Sequence, residues 1–420
     1  MDEAKLIILV IYRTHQYWFF EVISSGKGLF WQNQKLTSKP SKNFIHPPLL
    51  LQYNYLRTRS MKTSALLFAL SPITALDLSP AERVGELQAS NPYAEFSVDA
   101  LRPENVGGCY HQPDQKTLFA AAARSPLLFT DAELEHARTG PINIDWREHG
   151  AVGPIQQQHP FGTCWAFSMT AVTEAINVMQ GKNKFQKLSE QQTVSCVDPQ
   201  SAGDNADVLW QWAFHNTGGR YQTEEVYPYN RKCNFFREQQ LAPDGTNDGY
   251  PMTCNLPGPP PYAPCPPCPG VARKDGTPAC NLDKSNDFST ASVQGWGFVS
   301  PHGVSAQDKE PFFDVTRMVA AVVKYGPAQI GIDASCLSGY KSGIITNCTS
   351  HNVDHAVAIV GAGTDADSNV DYWIVRNSWN TTFGEDGYFK VQRDTNQMGI
   401  FGGYFGCYDK DCMVDPPPIV

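Results

Sequence analysis

The 420-residue chain has no surplus of positive charge: 33 Lys and Arg stand against 42 Asp and Glu, for a net charge of −9 and a pI near 5.6. That argues against a nucleic-acid partner, which calls for a basic face. Near its start it also lacks an apolar run long enough to span a bilayer. Leu6 to Tyr12 is apolar, but Arg13, Thr14, His15 and Gln16 break the run at once. Cysteine, in contrast, is not scarce. Twelve cysteines are too many for a cytosolic enzyme without a metal and point to an oxidising compartment. With 41% hydrophobic residues a substantial core is available, and the length allows two or three domains.

From Trp165 to Gln180 the chain has no Pro or Gly at all. Phe167, Ala171, Val172, Ala175, Ile176 and Met179 recur there at the three-and-four spacing of one helical face, and Gly181 supplies a stop. Pro154 to Gly162, just upstream, is a Pro- and Gly-broken loop. Cys164 therefore sits where a helix begins, where unpaired N–H groups and the dipole favour an anion and lower a thiol's pKa. A buried core cysteine is the plainer reading of the same position.

A thiolate nucleophile needs an imidazole base, and the base needs an orienter. His355 heads the apolar run His-Ala-Val-Ala-Ile-Val-Gly, which reads as a buried strand, and Asn377 ends a second one, Tyr372-Trp-Ile-Val-Arg. Alone, His355 is a core histidine and Asn377 a turn residue; the three contexts together are far more specific.

Those residues resemble the papain-like cysteine peptidases, the family of papain and the lysosomal cathepsins. The likeness covers roughly residues 141 to 405. It rests on Asp145-Trp-Arg, Cys164-Trp-Ala-Phe-Ser, Leu188-Ser-Glu-Gln-Gln192, Tyr227-Pro-Tyr, Gly326-Pro, Asp354-His, Asn377-Ser-Trp and Gly384-Glu-Asp-Gly-Tyr388. The resemblance implies an α+β, two-lobed fold, with a mainly helical lobe and a β-rich lobe flanking a cleft. It makes Cys164 the nucleophile, His355 its base, Asn377 the orienter and Gln158 the side-chain donor of an oxyanion hole. The reaction implied is peptide-bond hydrolysis through an acyl-enzyme, with no cofactor and no metal, by a monomer acting on peptides or proteins. The alternative is a catalytically silent binding protein on the same scaffold. Intact Cys164, His355, Asn377 and Gln158 weigh against it.

Residues 1–60 are expected to be a gene-model extension or disordered, with a genuine cytosolic or anchoring segment as the rival. Residues 61–75 read as a secretory signal: a start methionine, one lysine, an apolar core and a small residue before the cut. Residues 76–140 are expected to be a propeptide that inhibits the enzyme. Pro80 to Gln88 is a short helix in it, and Asn91-Pro-Tyr-Ala-Glu-Phe-Ser97 resembles a propeptide motif of the family. Gly140-Pro-Ile-Asn-Ile-Asp-Trp fits a maturation boundary, an exposed linker before the peptidase domain at 141–420. The destination implied is extracellular or lysosomal/vacuolar, with no membrane attachment of the mature form.

Within the domain, helices are expected at Thr163–Gln180, 187–196 with Ser189 as N-cap, and Phe312–Tyr325. Strands are expected at Ala328–Asp333, Ala356–Gly361, Tyr372–Arg376 and Gly387–Gln392. About 239–296 is an insertion dense in Pro and Gly, with Cys254, Cys265, Cys268 and Cys280. Two disulfides or a four-thiolate zinc site would account for them, disulfides being favoured in a secreted protein. Its position resembles the occluding loop of cathepsin B, but it contains no histidine, so endopeptidase activity is expected. By resemblance, Phe161 and Asp204 mark a lost bridge and Cys196–Cys233 a retained one. Cys348 faces Met398 where its partner should be, leaving Cys336, Cys407 and Cys412 open; Cys109 stands in the propeptide. The pocket for the second residue before the scissile bond would be lined by Val208, Gly331, Val353, Ala356 and Gly403, with Trp379 shielding the His–Asn hydrogen bond. Asn380, in a glycine's place, begins a possible glycosylation sequon, Asn-Thr-Thr.

Overall fold

The computed structural model describes strands at 7–14, 17–24 and 50–52. It further describes residues 79–101, 110, 127–159, 162–179, 184–197, 207–229, 280, 282, 288–289, 292–299, 315–348, 352–393, 395, 397–400 and 403–407. Two units are formed, Met1–Leu78 and Ser79–Val420. In the first, β1 (Ile7–Thr14) and β2 (Tyr17–Ser24) make an antiparallel hairpin, and β3 (Leu50–Gln52) pairs with the other edge of β1. Runs such as IILVIY and YWFF are rich in the β-branched and aromatic residues that suit a pleated surface. Strands thus occur within the stretch read from sequence as an extension.

The second unit is built on one sheet with strand order β4-β8-β11-β10-β9-β7-β12-β6, and β5 pairs with β9 off that path. The strands are β4 (Ala94–Phe96), β5 (Ile144–Asp145), β6 (Gly295–Val299), β7 (Ala328–Ile332), β8 (Tyr340–Ile345), β9 (His355–Thr364), β10 (Asp371–Arg376), β11 (Tyr388–Gln392) and β12 (Gly403–Cys407). All pairs are antiparallel except β11 with β8. Nine of the ten residues of β9 are buried, which is why its sequence reads as a continuous apolar run rather than an alternation. The helices are α1 (Pro80–Ser90), α2 (Asp131–Thr139), α3 (Cys164–Met179), α4 (Glu190–Cys196), α5 (Asp207–Thr217) and α6 (Val315–Tyr325).

Helix α3 departs from the amphipathic expectation, since every residue from Cys164 to Asn177 is buried. An all-round buried helix must satisfy its polar groups internally. Thr173 donates to the Met169 carbonyl at 2.8 Å and accepts from Trp210 Nε1 at 2.9 Å. Glu174 accepts from Leu188 N–H at 2.9 Å and meets Lys187 Nζ at 3.0 Å and Arg376 Nη1 at 3.7 Å. Ser189 caps α4 by accepting from Gln192 N–H, as its sequence suggests. The expected Gly181 stop lies outside the described residues, as do Phe161 and Asp204.

The cysteine bridges correct two readings. Cys196 pairs with Cys280, not Cys233. The return limb of the insertion brings this about: Phe288 bridges to Gln222, and Ser289 N–H reaches the Tyr221 carbonyl at 2.7 Å. Gln222 in turn accepts Ser189 N–H beside α4, so the insertion's far end lies at that helix. Two disulfides formed among the four insertion cysteines, the favoured expectation, and a zinc site using all four are both excluded with it. Cys336 pairs with Cys348, which settles one of the open choices. The other cysteines of the insertion lie outside the described residues.

Candidate active site

Cys164 is the first residue of α3 and is fully buried. Ala356, the second residue of β9, donates its N–H to Cys164 Sγ at 3.3 Å, so the start of the helix and the start of the strand are held together at the sulfur. His355 is fully buried, and its Nε2 lies 2.9 Å from Asn377 Oδ1. Asn377 is fixed in turn: its N–H donates to the Gly387 carbonyl, and its Oδ1 also accepts Ser378 N–H at 2.8 Å. Trp379 stacks on the His355 ring, 4.7 Å between centroids and 25° between planes, covering the His–Asn pair. Asn380, the next residue, has φ of 68°, the left-handed region where Asn is the best non-glycine occupant.

Gln158 is bound twice to Ser378. Its N–H donates to the Ser378 carbonyl at 2.9 Å, and its side-chain Oε1 accepts from Ser378 Oγ at 2.6 Å. With the amide oxygen engaged as acceptor, the amide nitrogen is the donating end. Tyr229 Oη donates to the Gln158 carbonyl at 2.8 Å and lies 2.8 Å from Thr163 Oγ1, tying the loop to the residue before Cys164. Ser378 and Tyr229 were not singled out from sequence. The signal available was their place inside the Asn-Ser-Trp and Tyr-Pro-Tyr motifs.

Two features bear on the chemical state of the site. Cys164 is disulfide-bonded, to a cysteine outside the described residues. The His355 imidazole is pushed down to about 4 by burial, against the opposing hydrogen bond from Asn377. The two fit together: a sulfur in a disulfide carries no charge to hold an imidazolium, so burial decides.

Of the pocket residues read from sequence, Ala356 is buried, and Val208 and Val353 pack on the apolar cluster that contains Cys164. Gly331 lies in β7 opposite Ala356. A Cβ on Gly331 would meet the Tyr110 ring at 2.5 Å and Val353 at 2.8 Å. Gly403 does not join them: its missing Cβ faces Met318 and Ala328, in the other core cluster. The residue that sequence reasoning missed is Tyr110. It is 3% exposed and donates its N–H to the Asp354 carbonyl at 3.1 Å, one residue before His355. A lone aromatic within a propeptide carries no periodic signal to mark it.

Helix α3, strand β9 and the residue after β10 thus bring a sulfur, an imidazole and a carboxamide together in an α+β fold. Residues 140–404 match the model of the papain family cysteine proteases, and the chain belongs to that family. It is 30% identical over 320 residues to a cysteine proteinase of Trypanosoma brucei brucei, covering 74% of this chain and 56% of that protein. It is 32% identical over 270 residues to a cathepsin L of Sarcophaga peregrina, covering 62% of each. The fold is similar to that of a digestive procathepsin L2 of Tenebrio molitor larval midgut, with TM-score 0.53, 21% identity, and 80% of this chain and 95% of that one covered. The chain spans 56 to 60% of the length of the first curated relatives it matches.

Proposed function

We propose that the chain is the zymogen of a cysteine endopeptidase. The observation that carries this reading is the approach of β9 to the head of α3, with Ala356 N–H on Cys164 Sγ and the adjacent His355 held by Asn377. Once reduced, the Cys164 sulfur and the His355 imidazole stabilise each other as thiolate and imidazolium, each raising the charged form of the other. The thiolate attacks the peptide carbonyl. Gln158 and the Cys164 backbone N–H then receive the oxyanion, each donor being worth on the order of 3 kcal/mol of barrier. His355 gives its proton to the leaving amine, and water hydrolyses the thioester. Asn377 fixes the ring's tautomer without adding charge.

The segment upstream of the domain is read as the inhibitor in place. β4 pairs antiparallel with β8, and Asn91, fully buried, accepts from Thr346 and Asn347 N–H at 2.9 and 2.8 Å. Tyr110 then fills the space beside Gly331 and Val353 that a substrate side chain would take. The bridges Cys196–Cys280 and Cys336–Cys348 fit a secretory route, to the exterior or to a lysosome or vacuole.

The test is covalent labelling with an epoxide peptide after thiol reduction and removal of the upstream segment. Cys164 is the expected site, and Cys164→Ala is expected to lose both label and peptide cleavage. A reduced, processed protein that neither labels nor cleaves any peptide would return the chain to a silent scaffold.

A further inference from the structure

Resting on the reading above, we infer that Tyr229 is a positioning residue of the oxyanion hole, and that its hydroxyl sets the spacing between the two groups that receive the oxyanion. Those groups come from opposite ends of one short loop. The Gln158 amide stands at its start, and the Cys164 backbone N–H, carried by the Thr163–Cys164 peptide, at its end. Residues 158–163 include no cysteine, so no disulfide within the loop fixes their separation. The Tyr229 hydroxyl bonds to both ends. It donates to the Gln158 carbonyl at 2.8 Å and lies 2.8 Å from Thr163 Oγ1. A phenol has one proton to give. With that proton on Gln158, the Thr163 hydroxyl is the donor of the second bond.

Each end is also anchored elsewhere. Thr163 is buried, and its carbonyl accepts the Ala166 and Phe167 N–H groups at 2.9 and 3.2 Å. It therefore moves with the first turn of α3, where Cys164 N–H is one of the helix-start donors that lack an intrahelical acceptor. Gln158 is held instead by Ser378, through its N–H and its side-chain oxygen. Tyr229 joins these two anchorages. Its ring is placed without the hydroxyl: it meets Phe167 of α3 edge-on, at 4.8 Å and 88°, and Tyr229 N–H donates to Glu224 Oε1 at 2.8 Å. Loss of the hydroxyl thus leaves the ring packed but frees Gln158 to shift relative to Cys164. A donor so displaced no longer meets the oxyanion as charge develops, and the loss falls on kcat.

The experiment measures steady-state kinetics on a short peptide for the reduced, processed enzyme and for Tyr229→Phe, Gln158→Ala and the double variant. Tyr229→Phe is expected to lower kcat about tenfold with KM nearly constant, part of the roughly 10²–10³ that a whole oxyanion donor is worth. In the Gln158→Ala background no spacing between donors is left to set, so the same change should cost less than about twofold. An equal fold-loss in both backgrounds would show a role independent of the oxyanion hole and overturn the inference. So would an unchanged kcat, or a change confined to KM. Thr163→Val removes the second hydrogen bond without touching Tyr229 and serves if Tyr229→Phe does not fold. It should lower kcat in the same way, and Thr163→Ser, which keeps a hydroxyl, should recover most of the loss. Wild-type kcat in Thr163→Val would overturn the spacing role. Epoxide labelling of Cys164 separates the two readings: failure of these expectations in an enzyme that labels and cleaves counts against Tyr229 alone, whereas a wild-type enzyme that does neither removes both.

Discussion

Ser378 and Gln158 hold each other through two hydrogen bonds, main chain to main chain at 2.9 Å and hydroxyl to amide oxygen at 2.6 Å. The first fixes where the loop before α3 lies; the second fixes which end of the carboxamide donates. Because only the second is lost in Ser378→Ala, the loop should stay in place while the amide becomes free to turn over. An oxyanion donor that spends part of its time reversed acts on the transition state and not on the bound peptide. We expect kcat to fall about tenfold with KM nearly constant, since the whole donor is worth roughly 10²–10³ in kcat. Steady-state kinetics on a short peptide decide it; a change confined to KM would assign Ser378 to substrate binding instead.

The disulfide on Cys164 makes the proform doubly latent, because cleavage of the upstream segment alone leaves no thiolate. Unreduced proform should resist thiol-directed labelling at Cys164, and a dithiol should restore it by reducing the bridge to two cysteine thiols while itself being oxidised to a cyclic disulfide. The expected partner is Cys109. Tyr110, one peptide bond on, reaches the Asp354 carbonyl, and Ala356 two residues later reaches Cys164 Sγ. Cys109 is one Cα step of about 3.8 Å from Tyr110, and a disulfide covers a further Cα–Cα span of roughly 4.4–6.8 Å. Peptide mapping without reductant identifies the linked pair, and Cys109→Ser should expose Cys164 to label directly. Recovery of Cys164 joined to any other cysteine would refute the assignment.

Glu174 sits on α3 ten residues beyond Cys164 and meets both Lys187 and Arg376, the residue before Asn377. Arg376 also donates to the Pro154 carbonyl at 2.6 Å, at the start of the Gln158 loop. One carboxylate thus ties together the elements carrying three of the four site residues, Cys164, Asn377 and Gln158. Removing it takes the carboxylate from the buried Arg376, while Lys187 keeps Glu190 at 2.6 Å; breaking such a buried pair typically costs about 3–5 kcal/mol. Glu174→Ala should therefore lower Tm by roughly 10 °C or more, and activity at moderate temperature should fall with the folded fraction. A thermal melt alongside labelling at 20 °C separates lost folding from a misplaced site.

The site was legible in the sequence because its parts are local motifs whose chemistry fixes residue types: a cysteine opening a helix, a histidine opening a buried strand, an asparagine closing another. The strands at 328–332, 371–376 and 388–392 likewise announced themselves by apolar content between breakers. What could not be read was set by contacts distant along the chain. Cys196 finds Cys280 across 84 residues because the Phe288–Gln222 bridge folds the insertion back. The polar positions of α3 look solvent-facing until Lys187 and Arg376 are seen to meet Glu174. Tyr110 and the hold of α6 on Leu127 and Leu128 depend on groups about 190 or more residues away, which no periodicity can report.

His159, directly after Gln158, adds a second imidazole near the catalytic one. Its Nε2 is buried without a hydrogen-bond partner, and its ring lies 6.1 Å from that of Trp379. Burial, and secondly the neighbouring His355, push its pKa down to about 4. In the unfolded chain an imidazole takes a proton near pH 6.5. Below that pH the unfolded state gains a proton that the folded state refuses, so stability is lost progressively from pH 6.5 down to about 4, by at most about 3 kcal/mol. His355, also lowered to about 4, works in the same direction. Glu190, raised to about 7 chiefly by burial, works against both, since its folded form binds a proton before the unfolded one does. Comparison of the proform with His159→Asn isolates the first contribution, because His355 and Glu190 are common to both. The two should melt at similar temperatures at pH 7.5 and diverge as pH falls from 6.5 to 4, with the variant losing less. Parallel curves would show that His159 ionises as readily in the fold as outside it, and that acid loosening of the proform comes from elsewhere.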